Sequence, residues 1–275
     1  MKRVLALIFF LPGTAQAHAT DQAFVLLLPT DIYITAGVLA VALPVAALST
    51  RDRTQRPNTT LATATSLTSF AALAALVALG FAGPRDPLSN LMPLIFWTVG
   101  WVAIVSLSGV LGNLWYWLNP WTGLYRLLAP DWRQRALPER WGLWPATVLL
   151  IAFTAFLLAD IAPDDPARLA TVVATYWSVT MIGLLIAGPS WLHQTELGHA
   201  ICATYAKLTG WSKNGLGGPG WQVLRPLPAA TGLFALVLLG AGSFDGLNET
   251  FWWLGLIGVN PLEFPGRSAV MVQTI

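Results

Sequence analysis

The chain has 275 residues, of which 55% are hydrophobic and only 10% are charged, and its mean hydropathy is +0.62. A soluble domain carries about 25% charged residues, so this composition excludes an ordinary soluble globular protein and indicates a membrane protein. The net charge of +2 comes without a basic stripe at helical spacing, which argues against a nucleic-acid partner.

Residues 1–17, MKRVLALIFFLPGTAQA, have the three parts of a cleavable secretory signal peptide. Lys2 and Arg3 form a positive start, residues 4–11 form a short apolar core, and residues 15–17 form an A-x-A cleavage site. Cleavage would make His18 the mature N-terminus, on the periplasmic side of the membrane. The alternative is an uncleaved anchor, but its apolar core is shorter than the ~20 residues that a spanning helix needs.

Six long apolar runs follow, and each is close to the ~20 residues that cross a ~30 Å hydrocarbon layer. They cover residues 32–48, 61–81, 91–111, 142–161, 170–188 and 227–242. We therefore predict an all-α integral membrane protein in which residues 18–275 form a single helical domain of six spans. Residues 268–275 begin another apolar run, which is either the start of a seventh span or a tail that ends at the membrane surface.

The distribution of basic residues predicts the orientation of these spans. With the mature N-terminus outside, ten Lys and Arg residues fall in cytoplasmic loops and three fall in outer loops. The ten are Arg51, Arg53, Arg56, Arg126, Arg133, Arg135, Arg140, Lys207, Lys213 and Arg225, and the three are Arg85, Arg168 and Arg267. This bias is the one expected of positive-inside loops, so we predict a bacterial inner-membrane protein with a periplasmic N-terminus.

An aromatic cluster, GNLWYWLNPWTGLYRLL, follows the third predicted span at residues 112–128. One interpretation is an interfacial belt with a short helix in the membrane plane, in which Asn119 caps the helix that follows Pro120. The other is a surface that binds a partner, because five exposed rings make a large apolar area. A second cluster, FWWLGL, lies in the last outer loop. The candidate partner-binding residues are Trp115, Tyr116, Trp117, Asn119, Trp121, Tyr125, Trp252 and Trp253.

Three residues in the segment SWLHQTELGHAICATYAKL are candidate metal ligands. If the segment is one helix, His193, Glu196 and His199 recur every third residue and share an arc of ~120°. Two imidazoles and a carboxylate can hold a divalent metal and lower the pKa of a bound water for hydrolysis. The competing interpretation is a polar helix on the membrane surface, since the spacing is not that of H-E-x-x-H and no second E-x-x-H occurs.

Two further residues, His18 and Cys202, could in principle bind a metal or react. A mature N-terminal His18 would offer its α-amine and ring nitrogen together, a chelate suited to copper. Cys202 is the single cysteine, which excludes an intrachain disulfide and any metal site built from several cysteines. We expect Cys202 to be a small apolar packing residue. No cofactor is firmly implied, and no catalytic residue is assigned.

Several segments from residue 119 onward resemble one group of multi-pass bacterial membrane proteins. The segments are NPWTGLYRLL, LPERWGLWPATVLLIAF, ELGHAICATYAKLTGW and LRPLPAATGLFALVLL. The group is similar to proteins described as fenitrothion hydrolase. The resemblance implies a membrane hydrolase of an organophosphorus triester that works with a second membrane subunit. It also implies a glutamate at position 196 without both neighbouring histidines.

Two functions follow from these observations, and copper binding at His18 would add a third, a periplasm-facing copper-handling membrane protein. The first is an accessory or structural subunit that contacts the lipid bilayer and another membrane protein through its aromatic surfaces. This function rests on the small number of polar residues within the predicted spans and on the tryptophans near the ends of the spans. The second is a membrane-bound phosphotriester hydrolase subunit with a divalent metal at His193, Glu196 and His199. It rests on the resemblance.

Overall fold

The computed structural model describes residues 59–128, 135–208, 211–212, 215–216, 227–263 and 266–274. All of them belong to the second of two units into which the chain divides, residues 47–275. The predicted signal peptide, His18 and the first predicted span at residues 32–48 lie outside the described residues.

The described part of the chain is almost entirely helical. Its α-helices are α1 (Thr59–Ala82), α2 (Leu91–Leu111), α3 (Trp115–Leu118), α4 (Thr122–Leu128), α5 (Trp144–Ala159), α6 (Pro166–Ala187), α7 (Pro189–Gln194), α8 (Leu197–Tyr205), α9 (Ala229–Asp245), α10 (Phe251–Leu256) and α11 (Arg267–Thr274). The central turns of α2, Phe96–Ala103, are π-helical. Short 3-10 turns occur at Glu139–Trp141, Ala206–Leu208 and Pro261–Glu263. Two-residue strands, β1 (Trp211–Ser212) and β2 (Gly215–Leu216), pair antiparallel.

Three helices, α1, α2 and α6, are long and apolar enough to cross a membrane. They correspond to the predicted spans at residues 61–81, 91–111 and 170–188. The predicted spans at 142–161 and 227–242 form shorter apolar helices, α5 and α9, of 16 and 17 residues. At 1.5 Å per residue these are about 24–26 Å long, which is less than the ~30 Å hydrocarbon core.

Local sequence signals explain where two of the long helices begin. Asn90 precedes α2, and its side-chain oxygen accepts a hydrogen bond from the Met92 N–H at 2.8 Å. Asp165 precedes α6 and accepts from the Arg168 N–H at 2.8 Å, while Pro166 occupies the first helical position. A capping side chain satisfies an otherwise unpaired helix N–H, and proline at the first position loses no hydrogen bond.

Three apolar clusters hold the described helices together, and the third consists of Trp121 with Met181 and Leu184 of α6. In the first, Met92 of α2 packs with three residues of α6, namely Leu169, Ala170 and Val173, against apolar residues of α1. The helices α1 and α6 approach closely there, because a Cβ added at Gly80 would lie 2.6 Å from the Ala170 Cβ. The second cluster joins α5, α8 and α9 through Ala146, Leu150, Leu197, Ala200, Ile201 and Phe234.

The loops predicted to be periplasmic contact one another at one end of the helices. Arg85, between α1 and α2, lies 3.5 Å from Asp165, between α5 and α6. Arg168 pairs with Asp160 at 2.6 Å. Arg267 donates a hydrogen bond at 3.0 Å to the Leu157 carbonyl near the end of α5. Helix ends that are predicted to lie on the same side of the membrane are therefore together.

The opposite end is built around the start of α1. Ser66, which is fully buried, donates to the Asn119 carbonyl at 2.5 Å and accepts from the Gly123 N–H at 2.7 Å. Thr65 donates to the Trp117 carbonyl at 2.8 Å. The Arg126 guanidinium donates to the Thr63 hydroxyl at 2.7 Å. These bonds fix α3 and α4 against α1.

Candidate functional site

The Asn119-Pro120 pair forms a capped turn between α3 and α4. The Asn119 side-chain oxygen accepts hydrogen bonds from the Thr122 N–H at 2.9 Å and the Thr122 hydroxyl at 2.6 Å. Its amide donates to the Trp115 carbonyl at 3.0 Å. The predicted capping role of Asn119 is confirmed. Its side chain is buried, so it acts inside the protein rather than on a partner.

The aromatic rings around this turn are packed within the chain, which corrects the picture of five exposed rings. Trp121 is only 3% exposed, and its indole N–H donates to the Trp177 carbonyl at 3.0 Å. Trp115, Trp117 and Tyr125 are half-buried. Tyr116 alone among the five is exposed, at 41%. A partner contact at this cluster therefore reduces to Tyr116 and stays a prediction.

The second aromatic cluster, on α10, is more open. Trp252 is 64% exposed. Trp253 packs edge-on against Phe244 with ring centroids 5.0 Å apart. The buried Trp253 indole N–H has no hydrogen-bond partner. Of the two clusters, this one has the larger exposed aromatic surface.

Glu196 is the most heavily hydrogen-bonded side chain at the α7–α8 junction. It precedes α8, and its carboxylate accepts from the Gly198 N–H at 2.8 Å and the His199 N–H at 2.6 Å. The Trp115 indole N–H donates to it at 2.7 Å, and the Tyr176 hydroxyl donates at 3.1 Å. One carboxylate therefore caps α8 and joins it to α3 and α6.

Glu196 is only 1% exposed, and no basic side chain is among its hydrogen-bond partners. Burial raises the pKa of the carboxyl to about 7, against the lowering effect of its four donors. A carboxyl with a pKa near neutrality can hold or release a proton at physiological pH, and such groups concentrate at functional sites. They also occur in purely structural networks, so the pKa alone assigns no role.

The position of Trp115 beside this carboxylate depends on Gly198. A Cβ added at Gly198 would lie 2.3 Å from the Trp115 indole ring, so only glycine leaves room for the indole over the first turn of α8. Tyr176 completes the arrangement, because its hydroxyl also accepts from the Leu197 N–H at 2.8 Å. The start of α8 is thus held from two sides.

His193 and His199 lie close to each other and near Glu196 in sequence, but they are not on one helix as predicted. The chain is not one helix here, because α7 ends at Gln194 and α8 begins at Leu197. The expectation of three ligands on one helical face is therefore wrong. The break instead brings His193 Nδ1 to 3.1 Å from His199 Nε2, with the rings nearly perpendicular. The Glu196 carboxylate accepts four hydrogen bonds from the protein, so it does not face the two imidazoles as a third ligand.

An open cavity of about 520 Å³ lies next to His193. Its lining includes Gln194 of α7 and Glu139 and Arg140 of the turn before α5. The Gln194 side-chain oxygen is buried and has no hydrogen-bond partner. A small polar molecule that entered the cavity would lie beside His193, Glu139 and Arg140.

The remaining candidates are placed as follows. Cys202 is buried in α8, and burial raises its thiol pKa to about 11, so the prediction of a packing residue is confirmed. His18, the predicted copper ligand, lies outside the described residues. Within the described ranges, no group of three or more His, Cys, Asp or Glu residues is arranged to hold a metal ion.

No protein-family model, no curated protein and no solved structure matches this chain. Its class is given by its own described residues: a mostly helical protein with three helices that are long and apolar enough to cross a membrane. The resemblance to fenitrothion hydrolases stays a prediction.

Proposed function

We propose that this protein is an integral membrane subunit of a larger assembly, in a bacterial inner membrane with its N-terminus outside. Its contact with the assembly is made by one face of α1, against a transmembrane helix of another membrane protein. The observation that carries the proposal is the kind of residue that α1 leaves exposed.

The exposed face of the middle of α1 consists of small residues, whereas the large exposed side chains of this helix, Leu61, Leu79 and Phe81, lie near its ends. Between residues 64 and 78, every exposed residue of this helix is alanine or threonine. These residues are Ala64, Thr68, Ala71, Ala72, Ala74, Ala75 and Ala78. Only 11% of the most apolar window of α1 is buried within the chain, against 39% for α6. Most of this surface is therefore not covered by the described residues of the chain.

A comparison of α1 with α9 indicates which exposed surface faces lipid and which faces another protein. The exposed face of α9 carries large side chains, Leu233, Leu236 and Leu239. Lipid tails solvate leucine well, whereas small residues let two helix backbones approach and pack closely in a membrane. The α9 face suits lipid, and the α1 face suits a second helix.

The test starts with extraction of the full chain from its native membrane in mild detergent, followed by a native gel and mass spectrometry. We expect a stoichiometric partner membrane protein to migrate with it. The variant Ala71→Leu/Ala75→Leu should lose the partner while keeping the thermal stability of the chain, because the change lies on an exposed face. Leu236→Phe on α9 is the matched control and should keep the partner.

A cross-linking experiment identifies what covers α1. A short photo-crosslinker on the variant Ala75→Cys should give a product with the mass of this chain plus a partner. A product that joins position 75 to residues 32–48 of the same chain would overturn the proposal, since the face would then be covered internally. A lone band on the native gel would overturn it as well.

A second candidate function, hydrolysis of a phosphotriester, is favoured by the cavity beside His193. An imidazole with a carboxylate and a guanidinium nearby suits activation of water and stabilisation of a developing negative charge. The assay is turnover of a chromogenic phosphotriester by the purified chain, alone and with any partner that co-purifies. Activity that is absent, or that is unchanged in His193→Ala, would eliminate this candidate.

A further inference from the structure

The pair of histidines at the break between α7 and α8 brings two imidazole nitrogens into direct contact. His193 Nδ1 and His199 Nε2 lie 3.1 Å apart, with a ring-centroid separation of 4.8 Å and an interplanar angle of 77°. Two neutral imidazoles meet this way when one N–H donates to the other ring's lone pair. The same two nitrogens can bind one cation once the rings turn so that both lone pairs point at the ion.

The distance between the nitrogens is compatible with both arrangements. A zinc ion binds each imidazole nitrogen at about 2.0–2.1 Å, and a tetrahedral angle then places the two nitrogens about 3.3 Å apart. The observed separation of 3.1 Å differs from this by a few tenths of an ångström. The bound ion would replace the hydrogen bond, and the His193 ring is exposed, so it is free to turn its lone pair toward the ion.

The backbone that carries the two rings is fixed before any ion binds. Glu196 caps α8 through the His199 N–H, and it is itself held by the Trp115 indole and the Tyr176 hydroxyl. The Thr195 N–H donates at 2.9 Å to the Trp191 carbonyl, which holds the end of α7. Ligands that are held in place by surrounding hydrogen bonds bind a metal with a smaller entropic cost.

The surroundings leave room for further ligands. His193 lines the 520 Å³ cavity together with Gln194, whose buried side-chain oxygen has no hydrogen-bond partner. The Thr195 hydroxyl, also buried, is likewise without one. Imidazole is a preferred ligand of zinc, copper and nickel, and positions not filled by protein are taken by water or substrate.

We propose that His193 and His199 together bind one divalent transition-metal ion of the zinc type, beside the cavity that His193 lines. Glu196 is not a ligand of this ion. It positions His199 by capping α8. The site goes beyond the subunit role proposed above and does not depend on it, because it is formed within one chain.

The test measures Zn²⁺ binding to the full chain, purified in detergent without a polyhistidine tag, by isothermal titration calorimetry with Mg²⁺ as the comparison ion. We expect one Zn²⁺ per chain at micromolar concentration and no binding of Mg²⁺. His193→Ala and His199→Ala should each weaken Zn²⁺ binding by roughly ten-fold or more. Glu263→Ala, an exposed position in a surface turn, is the control and should bind as the wild type does. His18→Ala separates the histidine pair from the predicted N-terminal chelate, and it should keep one Zn²⁺ per chain.

Electron paramagnetic resonance with Cu²⁺ in place of Zn²⁺ gives a readout independent of activity. The spectrum should show coupling to two imidazole nitrogens, and one of them should be lost in His193→Ala. His193 is exposed, so this variant folds even if His199→Ala does not. Absence of Zn²⁺ binding, equal binding by His193→Ala, or loss of binding in His18→Ala alone would each overturn the proposal.

Discussion

At the residue scale, Glu196 determines the local structure at the α7–α8 junction. Each of its carboxylate oxygens accepts two hydrogen bonds, and the donors come from three helices. Such a residue differs from an exposed helix cap, because its loss would leave buried donors from three elements without acceptors. The consequence is a large effect on stability from a single side chain.

Glu196→Ala should destabilise the protein by about 3 kcal/mol or more, because a lost cap adds to the cost of buried unsatisfied donors. The measurement is the thermal unfolding midpoint in detergent. Glu263→Ala is the control, since Glu263 is exposed and lies in a surface turn. Similar midpoints for the two variants would contradict the central role of Glu196.

The stability of the protein should also depend on pH through Glu196. Its pKa is about 7 in the folded state, above the ordinary value of 4.5, so the folded state holds an extra proton between these values. Stability from this group is therefore full below pH 4.5 and is lost as the pH rises through 7. His199 acts in the opposite direction, because burial lowers its pKa to about 4.

The contribution of His199 to stability is complete above pH 6.5, so of these two groups Glu196 alone acts from there to about pH 8. We expect the unfolding midpoint of the wild type to fall across this interval. Glu196→Gln keeps an acceptor but cannot ionise, so its midpoint should be flat. Equal slopes for the two proteins, measured with a chelator present, would show that another group titrates.

At the scale of elements, hydropathy predicted the long helices but not the junctions. The apolar runs at 61–81, 91–111 and 170–188 contain few features other than length and composition, and these suffice to predict α1, α2 and α6. The break between α7 and α8 was not predicted. It depends on hydrogen bonds from Trp115 and Tyr176 to Glu196, and these residues are 81 and 20 positions away in the sequence. Sequence spacing alone carries no information about such distant donors.

The same limit explains the aromatic cluster. Trp and Tyr near a span end are typical of a membrane interface, so the sequence predicted exposed rings. Their burial depends on tertiary partners: the Trp121 indole bonds to the Trp177 carbonyl, and the Trp177 indole bonds in return to the Pro120 carbonyl at 3.2 Å. Asn119 was predicted as a cap because that signal is local.

The shorter helices α5 and α9 should depend on their packing against α8. Phe234 of α9 is fully buried against Ala146, Leu150 and Ile201. Phe234→Ala should cost about 3–5 kcal/mol through lost contacts and a cavity. Leu236→Ala, two residues away and 66% exposed, should change the stability by no more than about 0.5 kcal/mol. Thermal unfolding of both variants in detergent makes the comparison, and equal losses would contradict this packing.

At the scale of the whole molecule, the proposed orientation can be measured with cysteine labelling. The single native cysteine, Cys202, is buried, so the wild type should not react with a membrane-impermeant maleimide. Asp164→Cys, in the exposed loop before α6, should react from the periplasm in intact cells. Arg140→Cys, exposed before α5, should react only after lysis. The reverse pattern would invert the orientation.

The Glu196 network also has a consequence for how the protein is made. Trp115 leaves the ribosome 81 residues before Glu196, which at bacterial and eukaryotic rates is roughly 4–16 s of translation. During that interval the Trp115 indole lacks its acceptor. The Tyr176 hydroxyl, which precedes Glu196 by 20 residues, lacks its acceptor for roughly 1–4 s. The helices α3 and α6 are therefore made before their hydrogen-bond acceptor exists. Their final arrangement is set only after residue 196 is synthesised.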